Sequence, residues 1–367
     1  MRVGFLTERM TLGYGVAVVT DRLAEGLADL GNEVTVYTVF NDDTFRGGKY
    51  GLVVLPVKSS VIASRYDSRA ERVVDSAFEK GEDMWIVESF PFFKAASRFS
   101  RPWIAIDHGI VPSKYFPFLK RHHFDYIRKT QYGEYFQKAS AIVCVSKFLF
   151  EDLTPILQNK GMVIHPGIDH YQRSVAVDLR RELDINGVAM LFVGRPATAA
   201  PYKGVQTLVD IYTTLKQEIG KLSLLIAGPC SMEEQRRLEA EGVMVMNGLL
   251  PEYMPSVFRC ADVFATATQW EGFDLPLLEA SYFGIPVVAY KIGAHPEIVK
   301  DGETGFLVSD QAEFADKLKR LVQDTGLRKQ MGRKGSDYAA NFRWSRAVDA
   351  FDKLVKEVGR DFGISET

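Results

Sequence analysis

The chain has 367 residues, of which 46% are apolar and 25% charged, and carries a formal net charge of −2. That length predicts two or three domains, the composition is that of a globular protein in water, and the near-neutral balance gives no global pull toward nucleic acid. No stretch approaches about 18 consecutive apolar residues, so no membrane-spanning helix is expected. The N-terminus runs directly into a strand pattern, so no signal peptide is expected. Cys144, Cys230 and Cys260 are scattered through apolar segments without metal-ligand spacing. Buried thiols in a reducing cytoplasm is the reading that fits them.

Arg2 to Thr7 reads as a strand, followed by a glycine loop (Gly13-Tyr14-Gly15) and a helix from Val16 to Leu30 with apolar residues at Val19, Leu23, Leu27 and Leu30. Glu33 to Thr38 alternates like a strand. Val18 stands where a dinucleotide fingerprint needs its third glycine, so that motif is weak here. The glycine loop allows close backbone approach to a ligand, or it is a plain tight turn. Strand-like runs recur at Leu52 to Val57, Met84 to Val87, Trp103 to Ile106 and Ala141 to Val145. Helical patterns lie between them, including Arg69 to Lys80 and Phe124 to Lys138. This alternation predicts a parallel sheet covered by helices, with ligands at the carboxyl ends of its strands. Glu88 to Pro91 and Asp107-His108-Gly109 fall at such ends. His108 is therefore a candidate for contacting substrate, the alternative being a structural histidine. Residues 115–138 are rich in basic and aromatic side chains. They suit either an anionic membrane surface or acceptor, or a half-buried amphipathic helix with a solvated face.

Ser146-Lys147 is expected to open a helix that runs to Leu157. After the Pro166-Gly167 turn the pattern starts afresh, which places the linker between Asp169 and Ser174. A polar helix (Val177 to Leu183) precedes strands at Ala189 to Val193, Leu222 to Ala227, Val243 to Met246, Val263 to Thr268, Pro286 to Tyr290 and Gly305 to Val308. Helices are expected at Val205 to Ile219 and Met232 to Glu241, and through most of Gln311 to Gly359. Two doubly wound domains, 1–170 and 171–343, with a closing helical segment at 344–367, follow from this repetition.

The second half concentrates the chemistry. Gly194-Arg195 ends its first strand and Lys203-Gly204 opens its first helix, so two cations can neutralise a diphosphate. Asn247-Gly248-Leu249 ends the third strand, where backbone groups could hold a nucleobase. The stretch Trp270 to Glu279 reads as strand, tight turn, helix, with Asp274 as the cap and Pro276 in the first helical turn. Free N–H groups and the helix dipole then aim at an anion. Glu271 and Glu279 bracket that anion and suit the hydroxyls of a sugar or ribose; the bland alternative is a loop with two solvated glutamates.

These residues resemble the family 4 retaining glycosyltransferases, whose architecture is the B-type glycosyltransferase fold: two doubly wound Rossmann-like domains facing across a cleft. The resemblance rests on Gly194-Arg195 with Lys203-Gly204, Glu271-Gly272-Phe273 with Glu279 at Glu-x7-Glu spacing, Gly284 to Ala289, and Pro296 to Leu307. It is nearly continuous from residue 190 to 308 and thinner in the N-terminal half. It implies that Arg195 and Lys203 bind the donor diphosphate and that Glu279 binds the ribose. Glu271 would hold hydroxyls of the transferred sugar, with backbone amides from Gly272 through Phe273 and Asp274 to Leu275 completing the cradle. Gly248 and Leu249 join the donor site, His108 contacts the sugar from the other domain, and Gly15 lets the first loop approach the phosphates. Two departures stand out. Members usually carry glycine where this chain has Asp274, and a glycine pair where it has Gly293-Ala294, followed by His295.

The implied reaction moves a hexose-type sugar, with retention, from a UDP- or GDP-sugar to a saccharide or lipid-linked acceptor. Fixed cations would meet the charge on the leaving phosphate. Neither a cofactor nor a metal is expected: no Asp-x-Asp sits at a plausible strand end, and Asn41-Asp42-Asp43 suits a turn. Same-face attack and an enzyme nucleophile are both open, Glu271 being the candidate for the second. A sugar-nucleotide epimerase of similar shape is the runner-up. A binding protein without catalysis is disfavoured by the intact cation and carboxylate set. A cytoplasmic protein, peripheral at the inner membrane face through residues 115–138, is the expected location, with no nucleic-acid partner.

Overall fold

Short apolar strands separated by amphipathic helices pair in parallel, because each crossover helix returns the chain to the same sheet end. Every strand pairing among the described residues is of this kind. The computed structural model describes residues 1–42, 44–45, 48–56, 81–171, 177–196 and 200–364. The expected helix Arg69 to Lys80 lies outside them. The chain divides into two units, one comprising Met1–Gly167 with the segment from Arg343 onward, the other Ile168–Phe342.

The first unit holds a seven-stranded sheet in the order β3-β2-β1-β4-β5-β6-β7. Its strands are β1 (Arg2–Met10), β2 (Glu33–Asn41), β3 (Gly51–Val54), β4 (Met84–Val87), β5 (Trp103–Asp107), β6 (Ala141–Cys144) and β7 (Gly161–Val163). Helix α1 (Gly15–Asp29) follows β1 and buries Val19, Leu23 and Leu27, the residues that its 3.6-residue period brings to one face. Helix α2 (Phe90–Ala96) follows β4, and Pro91 falls in its first turn, where a missing N–H is tolerated. No helix was expected there.

Residues 118–138 form one irregular helical run: α3 (Phe118–Thr130), a π-helical turn (Gln131–Tyr135) and α4 (Phe136–Lys138). The expected helix from Phe124 thus begins six residues earlier, directly after Pro117. The helix expected from Ser146 to Leu157 is two: α5 (Lys147–Asp152), capped by the Ser146 hydroxyl, and α6 (Pro155–Gln158). Pro155 causes the break. It forces Thr154 into an extended conformation and lacks the N–H that a continuous helix needs.

The second unit repeats the arrangement with six strands in the order β10-β9-β8-β11-β12-β13. They are β8 (Val188–Val193), β9 (Leu222–Ala227), β10 (Met244–Met246), β11 (Val263–Thr266), β12 (Val287–Tyr290) and β13 (Gly305–Val308). The helices are α7 (Leu179–Glu182), α8 (Val205–Ile219), α9 (Met232–Ala240), α10 (Met254–Arg259), α11 (Leu275–Tyr282), α12 (His295–Ile298), α13 (Gln311–Gln323) and α14 (Thr325–Ala339). Helix α8 turns Val205, Leu208, Val209, Tyr212 and Leu215 onto the sheet, where they meet Leu224, Ile226 and Phe314 in one core. The expected helix Val177 to Leu183 shortens to α7, because Asp178 accepts a hydrogen bond from the Arg181 N–H and so fixes the start. Cys144 and Cys260 are buried, whereas Cys230 is only half-buried, in the loop after β9. That corrects its expected burial.

The last helix, α15 (Trp344–Asp361), packs on α1 in the first unit. The contact is close at Gly26, where an added Cβ would lie 2.3 Å from Val348 Cγ2. Alanine at position 26 gains up to about 1 kcal/mol in helix propensity but overpacks the contact at a cost of about 1–3 kcal/mol. Gly26→Ala is therefore expected to be net destabilising in urea denaturation, and Val348→Ala in the same chain to recover part of the loss. A more stable Gly26→Ala protein would contradict the packing.

Candidate functional site

A doubly wound sheet opens a crevice where its strand order reverses, because neighbouring connections leave in opposite directions. In the second unit the reversal lies between β8 and β11. Gly194-Arg195 follows β8, and Thr268 to Glu271 follows β11. Gly204, in the left-handed region at φ +64, starts α8 so close to β11 that a Cβ would meet the Ala267 carbonyl oxygen at 2.0 Å. Only glycine fits there, and its position brings Lys203 to the mouth of the crevice.

Lys203 and Glu271 are predicted for different parts of a donor, and the structure brings them together. Lys203 Nζ lies 2.5 Å from Glu271 Oε1, which also accepts from the Thr268 hydroxyl at 3.3 Å. Burial alone would lower Lys203, but Glu271 and Asp274 outweigh it and hold the ammonium well above its ordinary value. Burial raises Glu271, the charge of Asp274 adds to this, and Lys203 offsets only part of it. Arg195 is exposed at the end of β8, near enough to Tyr202 to act on its phenol. Of the alanine-rich loop between Arg195 and Lys203, residues 197–199 lie outside the described set.

Asp274 caps α11 as its sequence position suggests: Oδ1 accepts from the Leu277 N–H at 3.3 Å. Its other oxygen lies 3.2 Å from His295 Nε2. His295 is 0% exposed, and its Nδ1 lies 2.7 Å from the Tyr290 carbonyl oxygen. Burial would lower His295, but the bond and charge of Asp274 reverse that and raise it. Burial would raise Asp274, and His295 more than compensates. Among the described residues, the N–H groups of Gly272, Asp274 and Leu275 have no acceptor. These amides, at the positive end of α11, can hold an anion. Phe273 lies in the same turn, its ring 6.3 Å from that of Phe342.

Glu279, one turn into α11, is buried and 3.1 Å from His170 Nε2. Gly248 and Leu249 follow the edge strand β10, on the far side of β9 from β8, with open space at Gly248. His170 and His295 are the two residues that sequence reasoning missed. His295 carried a signal, since it lies beside the departure at Ala294. His170 carried none, because its partner Glu279 lies 109 positions away in the chain.

In the first unit the reversal lies between β1 and β4, and the loop Leu12–Tyr14 with Gly15 at the start of α1 stands there. His108 follows β5. Its Nε2 is buried without a partner among the described residues, and desolvation lowers its pKa to about 4, so the imidazole is neutral. Asp107 braces this loop. One carboxylate oxygen accepts from the Gly109 N–H at 2.9 Å, and the other from the Tyr132 hydroxyl at 2.9 Å. Burial pushes Asp107 up to about 6. Tyr132 reaches it from the π-helical turn, a feature common at functional sites. Among the described residues no three His, Cys, Asp or Glu side chains cluster as metal ligands, and no helix is long and apolar enough to cross a membrane.

Two family models match the chain, "Glycosyltransferase Family 4" over residues 14–172 and "Glycosyl transferases group 1" over 187–324. The chain belongs to the family 4 glycosyltransferases, and its two sheets are the Rossmann-like domains of the B-type fold. Sucrose-phosphate synthase from Thermosynechococcus elongatus is similar in fold, at 18% identity and a TM-score of 0.80, covering 99% of this chain and 100% of that one. So is HepE from Anabaena, solved with UDP-glucose, at 18% identity and a TM-score of 0.77 over 97% and 100%. D-inositol 3-phosphate glycosyltransferase from Corynebacterium efficiens is 32% identical over 194 residues, 48% of this chain and 45% of the relative. The match thus spans less than half the length of that curated relative.

The shifts at His295 and Asp274 set a pH dependence. The raised histidine contributes fully below its ordinary value of about 6.5, and this is lost as pH rises through its folded-state value. The lowered carboxylate contributes above about 3.9, and this is lost as pH falls through its folded-state value. Thermal melts from pH 6 to 9 should show a decline in Tm that is shallower in His295→Gln. Equal slopes would contradict a charged His295.

Proposed function

We propose that the protein is a retaining, metal-independent glycosyltransferase that moves a hexose-type sugar from a UDP- or GDP-sugar to a saccharide or lipid-linked acceptor. The observation that carries this reading is the ion pair Lys203–Glu271 beneath the amide-bearing turn at α11. A cation, a carboxylate and unpaired N–H groups side by side match the two ends of a sugar diphosphate. The diphosphate takes Lys203, Arg195 and the amides of Gly272 to Leu275. Glu271, released from Lys203, accepts sugar hydroxyls, and Glu279 accepts the ribose. Gly248 and Leu249 stand where backbone groups can meet a base. His108, neutral and with an open Nε2, is the first unit's candidate partner for a sugar hydroxyl.

Charge that develops on the departing phosphate meets fixed cations and dipoles that need no reorganisation, which lowers the barrier. The departing phosphate oxygen can then take the acceptor proton as the acceptor attacks from the same face. Same-face attack needs no enzyme nucleophile, and Glu271 is accordingly assigned the role of hydroxyl acceptor.

UDP-, GDP- and ADP-sugars should be screened by thermal shift. The true donor should raise the Tm by a ligand-dependent amount, about 2.7 kcal/mol of stabilisation at a hundredfold excess over its Kd. Arg195→Ala and Lys203→Ala should each lose most turnover, about 100-fold or more for a group stabilising the leaving charge. Near-normal turnover in either would remove the diphosphate assignment, and release of an epimerised donor without acceptor would overturn the transfer itself.

Helix α3 supports a peripheral position at an anionic bilayer. It buries no residue; Phe118 is 71% and Leu119 91% exposed. Lys114, Lys120 and Arg121 are near them in the sequence, Lys129 lies further along the same helix, and all four are exposed. Each such cation contributes about 1 kcal/mol at an anionic surface, and the two apolar side chains can enter the headgroup region. The protein should co-sediment with phosphatidylglycerol vesicles and not with phosphatidylcholine vesicles. Phe118→Asp with Leu119→Asp should abolish co-sedimentation without changing the Tm. Binding that survives this change would place the lipid contact elsewhere.

A further inference from the structure

Asp274, where this chain departs from a family glycine, follows β11, and His295, next to the second departure at Ala294, follows β12, yet their side chains meet. Asp274 Oδ2 and His295 Nε2 are 3.2 Å apart in a fully buried setting. The opposite ring nitrogen, Nδ1, faces the Tyr290 carbonyl oxygen at 2.7 Å. A neutral imidazole has one N–H, and here both nitrogens face oxygens. The ring therefore carries both protons, as an imidazolium between a carboxylate and a carbonyl.

The loop that carries His295 is pressed against the backbone of Glu271. A Cβ on Gly293 would lie 2.1 Å from the Glu271 carbonyl oxygen, and that oxygen accepts from the Ala294 N–H at 3.3 Å. Asp274, through its cap on Leu277, is tied to the first turn of α11. Glu271 and Asp274 act on one another and on Lys203, and Glu271 acts on His295. Two carboxylates thus share a desolvated site with two cations. If an anionic ligand draws Lys203 away, His295 is the cation that remains with the carboxylates.

We propose that Asp274 and His295 are a mutually dependent pair of positioning residues, which pins the Glu271–Leu275 turn to the loop after β12 and keeps Glu271 ready for a sugar hydroxyl when Lys203 turns to the donor diphosphate. This rests on the donor-site reading above. Asp274 then acts through Glu271 rather than on the donor. Each residue requires the other: without His295 the buried carboxylates lack a second cation, and without Asp274 the buried imidazolium lacks its counter-charge.

The test is a double-mutant cycle of Asp274→Gly, His295→Leu and the combined variant, with Asp274→Asn as a fourth protein that can still cap the helix. Each single change should raise the KM for the donor by about tenfold, more than it lowers kcat, and the combined variant should recover most of that factor. The same non-additivity should appear in the Tm without ligand. Asp274→Asn should resemble Asp274→Gly in KM, because the charge and not the cap is what His295 needs. Additive single effects, or a wild-type KM in Asp274→Asn, would overturn the pairing. If UDP, UDP-sugars and GDP-sugars fail to shift the Tm of the wild-type protein, the donor reading falls. The ligand-free cycle still decides whether the two residues form one charged unit.

Discussion

The site depends on a balance of charge in a place with little water. Glu271 and Asp274 are both buried and only three residues apart in sequence, and two carboxylates so placed repel one another. Removing an ion from water costs several kcal/mol, while a well-placed opposite charge at 4 Å returns about 4 kcal/mol at an effective dielectric constant of 20. The balance closes only because Lys203 meets one carboxylate and His295 the other. Such a cluster adds little net stability. Its consequence is that the turn is tied at two points, through the cap on Leu277 and the contact with His295.

Topology decides where this cluster forms. Each sheet reverses its strand order once, between β1 and β4 in the first unit and between β8 and β11 in the second. The loops that end neighbouring strands at a reversal are distant in sequence yet leave the same end of the sheet side by side, as those after β8 and β11 do. The glycines at 204 and 293 let backbone approach backbone where any side chain would collide, and so set the distance between those loops. The first unit uses the same device for a different end. There Asp107 ties the His108 loop to Tyr132 on the π-helical turn, and that turn continues from the exposed helix α3.

Much of the fold was legible because period and composition are local properties. Strands β4 and β9 and helix α8 have the limits that their apolar spacing indicates, and Asp274 caps its helix because its short side chain can accept from the Leu277 N–H. Boundaries failed where a backbone rule acts against a hydrophobic pattern. Pro155 broke one expected helix, Asp178 shortened another, and Pro117 fixed the start of α3 upstream of the expected residue. In each case the proline or cap was visible in the sequence, and the apolar period was given more weight than it can bear.

The sequence by itself determined the alternation of strand and helix, the two-domain plan and the family, together with Arg195, Lys203, Glu271 and Glu279 as chemically notable residues. These follow from residue type, spacing and motif. Only the tertiary structure decided how those residues combine. Lys203 and Glu271 occupy each other, Asp274 answers to His295, and Glu279 lies against His170. The reason is physical: a charge in water is indifferent to its neighbours beyond about 10 Å. Once buried, it is governed by whichever group the fold sets beside it, and that adjacency comes from strand order and loop packing, not from position along the chain.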